Sequence, residues 1–149
     1  MGTNTNLYDQ DFYAWTQTTA ALIRQGKWHE VDPACVAEEL ESLGKRDRRE
    51  LGSRLQVLLL HLLKWQAQPG RRDQSHSWYD TIVEQRDQIE DLLDDSPSLH
   101  PQLPAMLAQR YTRARQKALR DTGLPDTALP RQCPWTAAQV LDAAFWPEG

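Results

Sequence analysis

The sequence contains little cysteine and no long apolar run. Its 149 residues include 2 cysteines, Cys35 and Cys133, and their separation does not fit a CxxC pair. A disulfide framework and a cysteine zinc site are therefore unsupported. No apolar stretch reaches the ~18 residues that a membrane-spanning helix needs, and the N-terminal segment lacks the basic and apolar regions of a signal peptide. We expect a cytoplasmic protein without a membrane span, and no motif predicts a cofactor.

A large excess of one charge is also missing. The chain carries 17 Lys and Arg against 21 Asp and Glu, a formal net charge of -4, which does not mark a nucleic-acid binder. Apolar material for one core is present, since 40% of the residues are hydrophobic and 6 are tryptophan. A chain of this length is close to the commonest size of one domain. We predict a single helical domain over residues 1–149.

Apolar residues recur at helical spacing in several segments, and no segment shows the alternation typical of a strand. Thr136 and Gln139 form a capping box at the start of the last segment. The predicted helices cover about 9–25, 33–66, 76–93, 99–122 and 137–145. The sequence therefore predicts an all-α fold, an irregular bundle of about five helices around a long central helix at about 33–66.

The second predicted helix gives the strongest signal. Asp32 and Pro33 supply an N-cap and a first helical residue. Gly44 and Gly52 each cost about 1 kcal/mol in a helix interior, so a break near Gly44 is an alternative, but we favour one continuous helix. At ~100° per residue the apolar positions keep one phase and fall within an arc of ~120°. These positions are Val36, Leu40, Leu43, Leu51, Leu55, Leu58, Leu62 and Trp65.

A family resemblance rests on several segments that occur in a fixed order. They read AEELESLGKRDRRELGSRLQVLLLHLLKWQAQP, SWYDTIVEQRDQI, DSPSL, YTRARQKA and CPWTAAQVLDAAF, with DFYAWT near the start. Together they resemble the bacterial domain-of-unknown-function family 29 over nearly the whole chain. The resemblance implies a small bacterial helical protein. Since that family has no assigned activity, the resemblance supplies no catalytic residues.

Polar residues on and beside the apolar arc of the long helix form a candidate polar seam: Asp47, Glu50, Arg54 and His61. Three of them repeat every seven residues along the expected buried face, and Glu50 precedes Arg54 by four, the favourable order for an ion pair. One hypothesis is a pocket in which burial and charge tune His61 or Asp47 for proton transfer or ligand binding. We favour a structural role, in which hydrogen-bonded polar residues fix the register of the helix.

Paired carboxylates offer a candidate metal site. Glu38 and Glu41 repeat at three residues on the second predicted helix, and Glu84 and Asp87 do so on the third. Such pairs share a helix face and can bind a divalent cation between two helices. Glu38 and Glu41 point away from the apolar arc, however, and acidic residues near a helix N-terminus are favoured by its dipole. We therefore favour a solvated acidic face.

A run of cations on the fourth predicted helix is a candidate phosphate or nucleic-acid contact. No acidic residue interrupts the run, so it forms one basic pole. Cations near the C-terminal end of a helix also suit its dipole, and this structural interpretation is the one we favour. The residues are Arg110, Arg113, Arg115, Lys117 and Arg120.

The combined pattern favours an interaction protein over an enzyme. Apolar periodicity is rich, and no complete catalytic set is present in the sequence. The leading hypothesis is a non-enzymatic helical interaction module that binds itself or another protein. The alternatives are a small metal-dependent hydrolase that uses core histidine or carboxylates, and nucleic-acid binding through the basic end of the fourth helix.

Overall fold

The computed structural model describes residues 7–72 and 76–148. Within these residues the chain forms helices joined by loops and contains no strand, so the predicted all-α helical bundle with a long central helix is confirmed. The chain divides into two compact units, a first unit of residues Met1–Arg46 and a second unit of residues Asp47–Gly149. The boundary falls inside the long helix, and the single domain expected from the sequence stays a prediction.

We number five α-helices in chain order, after a helical turn at residues 7–10. They are α1 Phe12–Arg24, α2 Pro33–Ala67, α3 His76–Asp95, α4 Leu103–Thr122 and α5 Ala137–Leu141. The long helix α2 is continuous, as predicted, and neither glycine inside it causes a break. None of the helices in the described part of the chain is long and apolar enough to cross a membrane.

The bounds of α4 and α5 differ most from the prediction. Residues Pro97–Gln102 form a 3-10 helix, and α4 begins only at Leu103. Pro104 would be the sixth residue of a helix that began at Leu99, where its missing N–H could not bond to the carbonyl of His100, whereas proline is tolerated as the second residue of α4. The last helix, α5, ends at Leu141, because the backbone of Asp142 is extended at φ -74° and ψ 119°.

Side-chain caps start both helices of the first unit. Asp11 Oδ1 accepts a hydrogen bond from the backbone N–H of Ala14 at the start of α1, and Asp32 Oδ1 accepts one from Ala34 at the start of α2. Between the two helices, Gly26 takes a left-handed conformation at φ 73°, which glycine adopts without strain. Among the described residues of this unit, Trp15, Thr19 and Cys35 are buried.

The second unit has an extensive apolar core. The C-terminal half of α2 packs there with one face each of α3 and α4, and Val140 anchors the short helix α5. Thr136 and Gln139 form the predicted capping box at the start of α5. Burying each large apolar side chain stabilises the fold by about 1.5–3 kcal/mol. The largest fully buried residues are Leu51, Leu55, Leu58, Leu59, Leu62, Leu63, Ile82, Ile89, Tyr111 and Val140.

Candidate functional site

The candidate polar seam on α2 is only partly buried. Arg54 and His61 are half-buried, whereas Asp47 and Glu50 are exposed. The expected buried position is therefore wrong for Asp47, and Glu50, which lies beside the apolar arc, is exposed as well. The predicted helical phase is correct, but within the second unit the burial of α2 begins at Leu51, and residues 47–50 lie in solvent. Helical phase gives the direction of a side chain and does not say where another helix covers it.

The half-buried members of the seam make local contacts. Arg54 Nε donates to Glu50 Oε1 at 3.1 Å, and its Nη1 donates to Gln85 Oε1 on α3 at 3.3 Å. His61 Nδ1 lies 2.8 Å from the backbone oxygen of Val57, so in the neutral ring this nitrogen carries the proton. Burial lowers the pKa of His61 below its usual 6.5 and outweighs the opposite effect of the Val57 contact. These contacts fit polar residues that hold α2 in register.

All four candidate metal-binding carboxylates are exposed. Glu38 and Glu41 belong to the first unit, and Glu84 and Asp87 belong to the second. Glu84 accepts a hydrogen bond from Gln88 Nε2 at 3.0 Å, one turn further along α3. Across residues 7–72 and 76–148, no group of three or more His, Cys, Asp or Glu is arranged as a metal site. Metal binding by these carboxylates stays a prediction.

Arg115, a candidate phosphate contact, closes the loop that follows α4. Its Nε donates to the backbone oxygen of Pro130 at 2.9 Å, and its Nη1 forms an ion pair with Asp126 at 3.0 Å. Its Nη2 donates to the backbone oxygens of Asp126 and Leu129 at 2.6 and 3.1 Å. The hydrogen bond from Arg115 lowers the pKa of the Asp126 carboxyl. The Arg115 guanidinium is therefore used to hold the fold together.

Two other cations of α4 also have partners inside the second unit. Arg110 Nη1 donates to Gln56 Oε1 at 3.1 Å, and Lys117 Nζ lies 3.7 Å from Asp121 Oδ2. The ion pair with Asp121 offsets the positive charge of Lys117, whereas Arg110 keeps its charge and uses one of its donors within the fold. Nucleic-acid binding stays a prediction, and no contact of α4 favours it. The exposed members of the basic run are Arg113, Lys117 and Arg120.

Arg86 is a buried anchor of the C-terminal segment that the sequence analysis did not single out. Its Nε donates to the backbone oxygen of Val140 at 2.9 Å, and its Nη2 donates to that of Phe145 at 2.7 Å. Burial lowers the pKa of Arg86. A signal was available in the sequence, because Arg86 lies four residues after Ile82 and three before Ile89, on the apolar face of α3. A charged residue at such a position indicates a buried polar contact.

The second unit has a pocket of about 380 Å³ beside Cys133. Burial raises the pKa of the Cys133 thiol, which donates to the backbone oxygen of Trp135 at 3.4 Å. In the same lining, the Tyr111 hydroxyl donates to the backbone oxygen of Pro130 at 2.6 Å, and burial raises its pKa to about 12. A protonated thiol is a poor nucleophile, so these groups are not activated for covalent catalysis.

The first unit exposes large apolar side chains. Trp28, Leu40 and Leu43 are 64%, 63% and 51% exposed, and we call these three residues the apolar patch. Leu40 and Leu43 lie one turn apart on α2, and Trp28 precedes that helix. Contiguous apolar surface on a folded protein commonly marks a contact site. No motif indicated this patch, because its leucines have the same spacing as the buried leucines of α2.

The apolar patch borders an open pocket of about 400 Å³ in the first unit. Trp28 and Leu40 belong both to the patch and to the pocket lining. A concave apolar site beside an exposed apolar surface can receive a side chain from a partner. The lining consists of Ile23, Trp28, Val31, Pro33, Val36, Ala37 and Leu40.

Comparison with known proteins identifies a family. A family model described as a domain of unknown function, DUF29, matches residues 7–146. No curated protein and no solved structure matches the chain. The match includes residues of both units and the segments that carry the sequence resemblance. Because the family description names no activity, a function has to be argued from the surface of this chain.

Proposed function

The chain belongs to the domain-of-unknown-function family DUF29, and we propose that it is a non-enzymatic interaction module that binds a protein through the apolar patch of its first unit. The support comes from the physical properties of that patch. Trp28, Leu40 and Leu43 offer large apolar side chains, and the neighbouring pocket offers a cavity of about 400 Å³.

The exposure of Leu40 and Leu43 is the observation that carries the proposal. Both side chains lie on a part of α2, residues 40–46, in which every residue is exposed. Leucine at such positions gains only part of its burial energy from the fold of the single chain. Covering the exposed part of each would remove further apolar surface from water, which is worth about half of the ~1.5–3 kcal/mol that burying a whole leucine side chain contributes. A protein partner that covers both leucines would supply this free energy.

The pocket favours a specific contact over nonspecific hydrophobic association. Its lining is apolar throughout, and Trp28 stands at its rim. Interfaces derive most of their affinity from a few large side chains that fill pockets of this kind. An apolar anchor from the partner would therefore bind beside Leu40, and polar residues around it would form the rim of the interface.

The chemistry of the second unit favours binding over catalysis. His61 has a lowered pKa and a backbone partner, and the Cys133 thiol is held protonated. Neither group is activated as a nucleophile. The metal-dependent hydrolase and the nucleic-acid binder remain alternative predictions, and no contact among the described residues favours either one.

Site-specific photo-crosslinking in the cells that make the protein tests the proposal. A photoreactive aromatic amino acid is placed at Leu43 in one variant and at Leu40 in another. Asp91, an exposed residue of α3, is the matched control position. We expect discrete protein adducts at Leu40 and Leu43, because a partner covers both, and no matching adduct at Asp91. The same adducts from Asp91, or no adduct from either leucine, would contradict the proposal.

A further inference from the structure

We propose that the partner is a second copy of this chain, and that the two copies pair through residues 36–46 of α2, antiparallel to each other about a two-fold axis. This inference rests on the proposed function, since it names the protein that covers the apolar patch. Three features of α2 carry it: its apolar seam, the small residues on one flank of the seam, and the charges on the other flank.

The apolar seam, which is distinct from the polar seam described above, has the side-chain spacing found where two helices pair. Val36, Leu40 and Leu43 are separated by four and then three residues, the repeat by which two helices interlock side chains. At ~100° per residue the three side chains fall within ~60° of one another on α2. Leu40 and Leu43 are more than half exposed, and Val36 is half-buried. The seam is thus open to a second helix.

Small residues line one flank of the seam. Ala37 and Gly44 are seven residues apart, so they lie on the same side of it. A Cβ added at Gly44 would meet no atom within 4 Å, whereas one added at Gly52 would lie 2.7 Å from Arg110 Nε. Packing within the chain therefore accounts for Gly52 and leaves Gly44 unexplained. A helix of a second copy that approaches closely on this flank would use the space at Gly44.

Opposite charges line the other flank. Glu39 and Arg46 are seven residues apart there, on the side of the seam away from Gly44. In an antiparallel pair each flank faces the same flank of the other helix, so Glu39 of one copy would face Arg46 of the other, twice. In a parallel pair this flank would instead face Ala37 and Gly44. The charge pattern therefore selects the antiparallel arrangement.

Two independent features give nearly the same position for the two-fold axis. Pairing Leu40 with Leu43 of the other copy places the axis next to residue 42. Pairing Glu39 with Arg46 of the other copy also places it next to residue 42. The two positions differ by one residue, or ~1.5 Å along the helix. The Tyr8 hydroxyl already donates to Glu39 Oε1, which orients this carboxylate. Arg46 is exposed and available for contact. Apolar and charged contacts can thus form together in one symmetric dimer.

Sedimentation equilibrium of the full chain tests the dimer. We expect a monomer–dimer equilibrium with a dissociation constant on the order of 10–100 µM, because a helix pair of this length buries less than the standard interface of ~1,600 Å². Leu43→Glu should weaken the dimer at least ~10-fold by placing charge in the seam. Arg113→Glu, on exposed surface of the second unit, is the control and should not change it. A chain that stays monomeric at ~500 µM would overturn the proposal.

Charge-reversal variants test the antiparallel arrangement. Glu39→Arg and Arg46→Glu each place like charges across their own dimer, and each should self-associate more weakly than the native chain. Mixed together they restore both opposite-charge pairs, so we expect the mixed dimer to be at least ~10-fold tighter than either parent dimer. No preference for the mixed dimer would overturn the arrangement. Circular dichroism of each variant checks that its helices are retained.

Distances between spin labels test the axis without altering Glu39. Labels are attached at Ser42 in one variant and at Lys45 in another, both exposed positions. In the antiparallel dimer the two Lys45 labels are offset by ~9 Å along the helix, whereas the two Ser42 labels lie next to the axis and have almost no offset. Because the two positions lie ~60° apart around the helix, each measured separation is compared with the one expected of a parallel pair, in which neither label has an offset. Two separations that match the parallel pair would overturn the proposal.

The two proposals fail in different ways. If the purified chain is monomeric while photo-crosslinking at Leu43 yields an adduct with a different protein, the second-copy proposal is wrong and the proposed function stands. If crosslinking at Leu40 and Leu43 yields no adduct at all, the proposed function is wrong. Adducts with twice the mass of the chain, together with the dimer in sedimentation, support both.

Discussion

The two units bury apolar side chains to very different extents, although α2 contributes to both. In the second unit, the α2 residue Leu58 is fully buried in the core. In the first unit, Leu40 and Leu43 have the same helical phase and are exposed, while Trp15 and Cys35 are its buried apolar residues among those described. One leucine repeat therefore forms an internal core in the second unit and an open surface in the first.

Hydrogen bonding shows the same contrast. Among the described residues, the buried side-chain atoms without a hydrogen-bond partner are Trp15 Nε1, Thr19 Oγ1 and Arg86 Nη1. Two of these atoms lie in the much smaller first unit. A buried polar atom without a partner costs about 1–3 kcal/mol. Folding of the single chain therefore stabilises the first unit less than the second.

The largest expected effect comes from truncating a leucine in each unit. Leu58→Ala should lower the free energy of unfolding by about 2–5 kcal/mol, because it leaves a cavity in a closed core. Leu40→Ala should change it by less than about 0.5 kcal/mol, since the side chain is already in water. Urea unfolding of each variant, at a concentration below that of dimer formation, measures both values. Similar losses at the two positions would show that both leucines are covered within one chain.

A smaller effect distinguishes the two glycines of α2. Gly44→Ala should raise the free energy of unfolding of the monomer by about 0.5–1 kcal/mol, because alanine favours the helix and its Cβ meets open space. At Gly52 the added Cβ would lie 2.7 Å from Arg110 Nε, so the Arg110 side chain would have to shift away from Gln56. Gly52→Ala should therefore raise the free energy of unfolding by about 1 kcal/mol less than Gly44→Ala does.

The role of Gly44 is tested by two measurements, the free energy of unfolding and the strength of self-association. Gly44→Leu serves as a second variant, since its larger side chain fills the space that the proposed dimer uses. It should weaken self-association while leaving the monomer folded. Equal stability gains from Gly44→Ala and Gly52→Ala would mean that Arg110 does not restrict the site at Gly52.

The sequence predicts the fold well because local chemistry determines most of it. Apolar spacing gave the continuous helix α2, and Thr136 gave the start of α5 through its capping box. The delayed start of α4 depends on Pro104, which a helix tolerates in its first turn and not further inside, and this effect is local too. Helical phase, capping residues and prolines are all properties of neighbouring residues, and a single sequence contains them.

Burial along α2 is not a local property, and the sequence could not supply it. Leu43 and Leu58 lie on the same apolar arc of α2, yet one is exposed and the other fully buried. The same limit applied to Asp47, which has the correct phase and lies in solvent. Whether a helix face is covered depends on elements distant in sequence. The candidate surface consequently became visible only with the structure.

The smallest expected effect concerns pH and the second unit alone. Burial lowers the pKa of His61 in the folded protein below its usual 6.5, so the unfolded chain binds the proton more tightly. Stability should therefore be complete above about pH 6.5 and fall as the pH decreases through the folded pKa, because protonation favours the unfolded chain.

His61→Gln should show a shallower fall in unfolding free energy between about pH 7.5 and 5.5 than the native chain. An unaltered slope in His61→Gln would mean that the His61 ring is as well solvated as in the unfolded chain, and the structural role of the half-buried seam would then rest on Arg54.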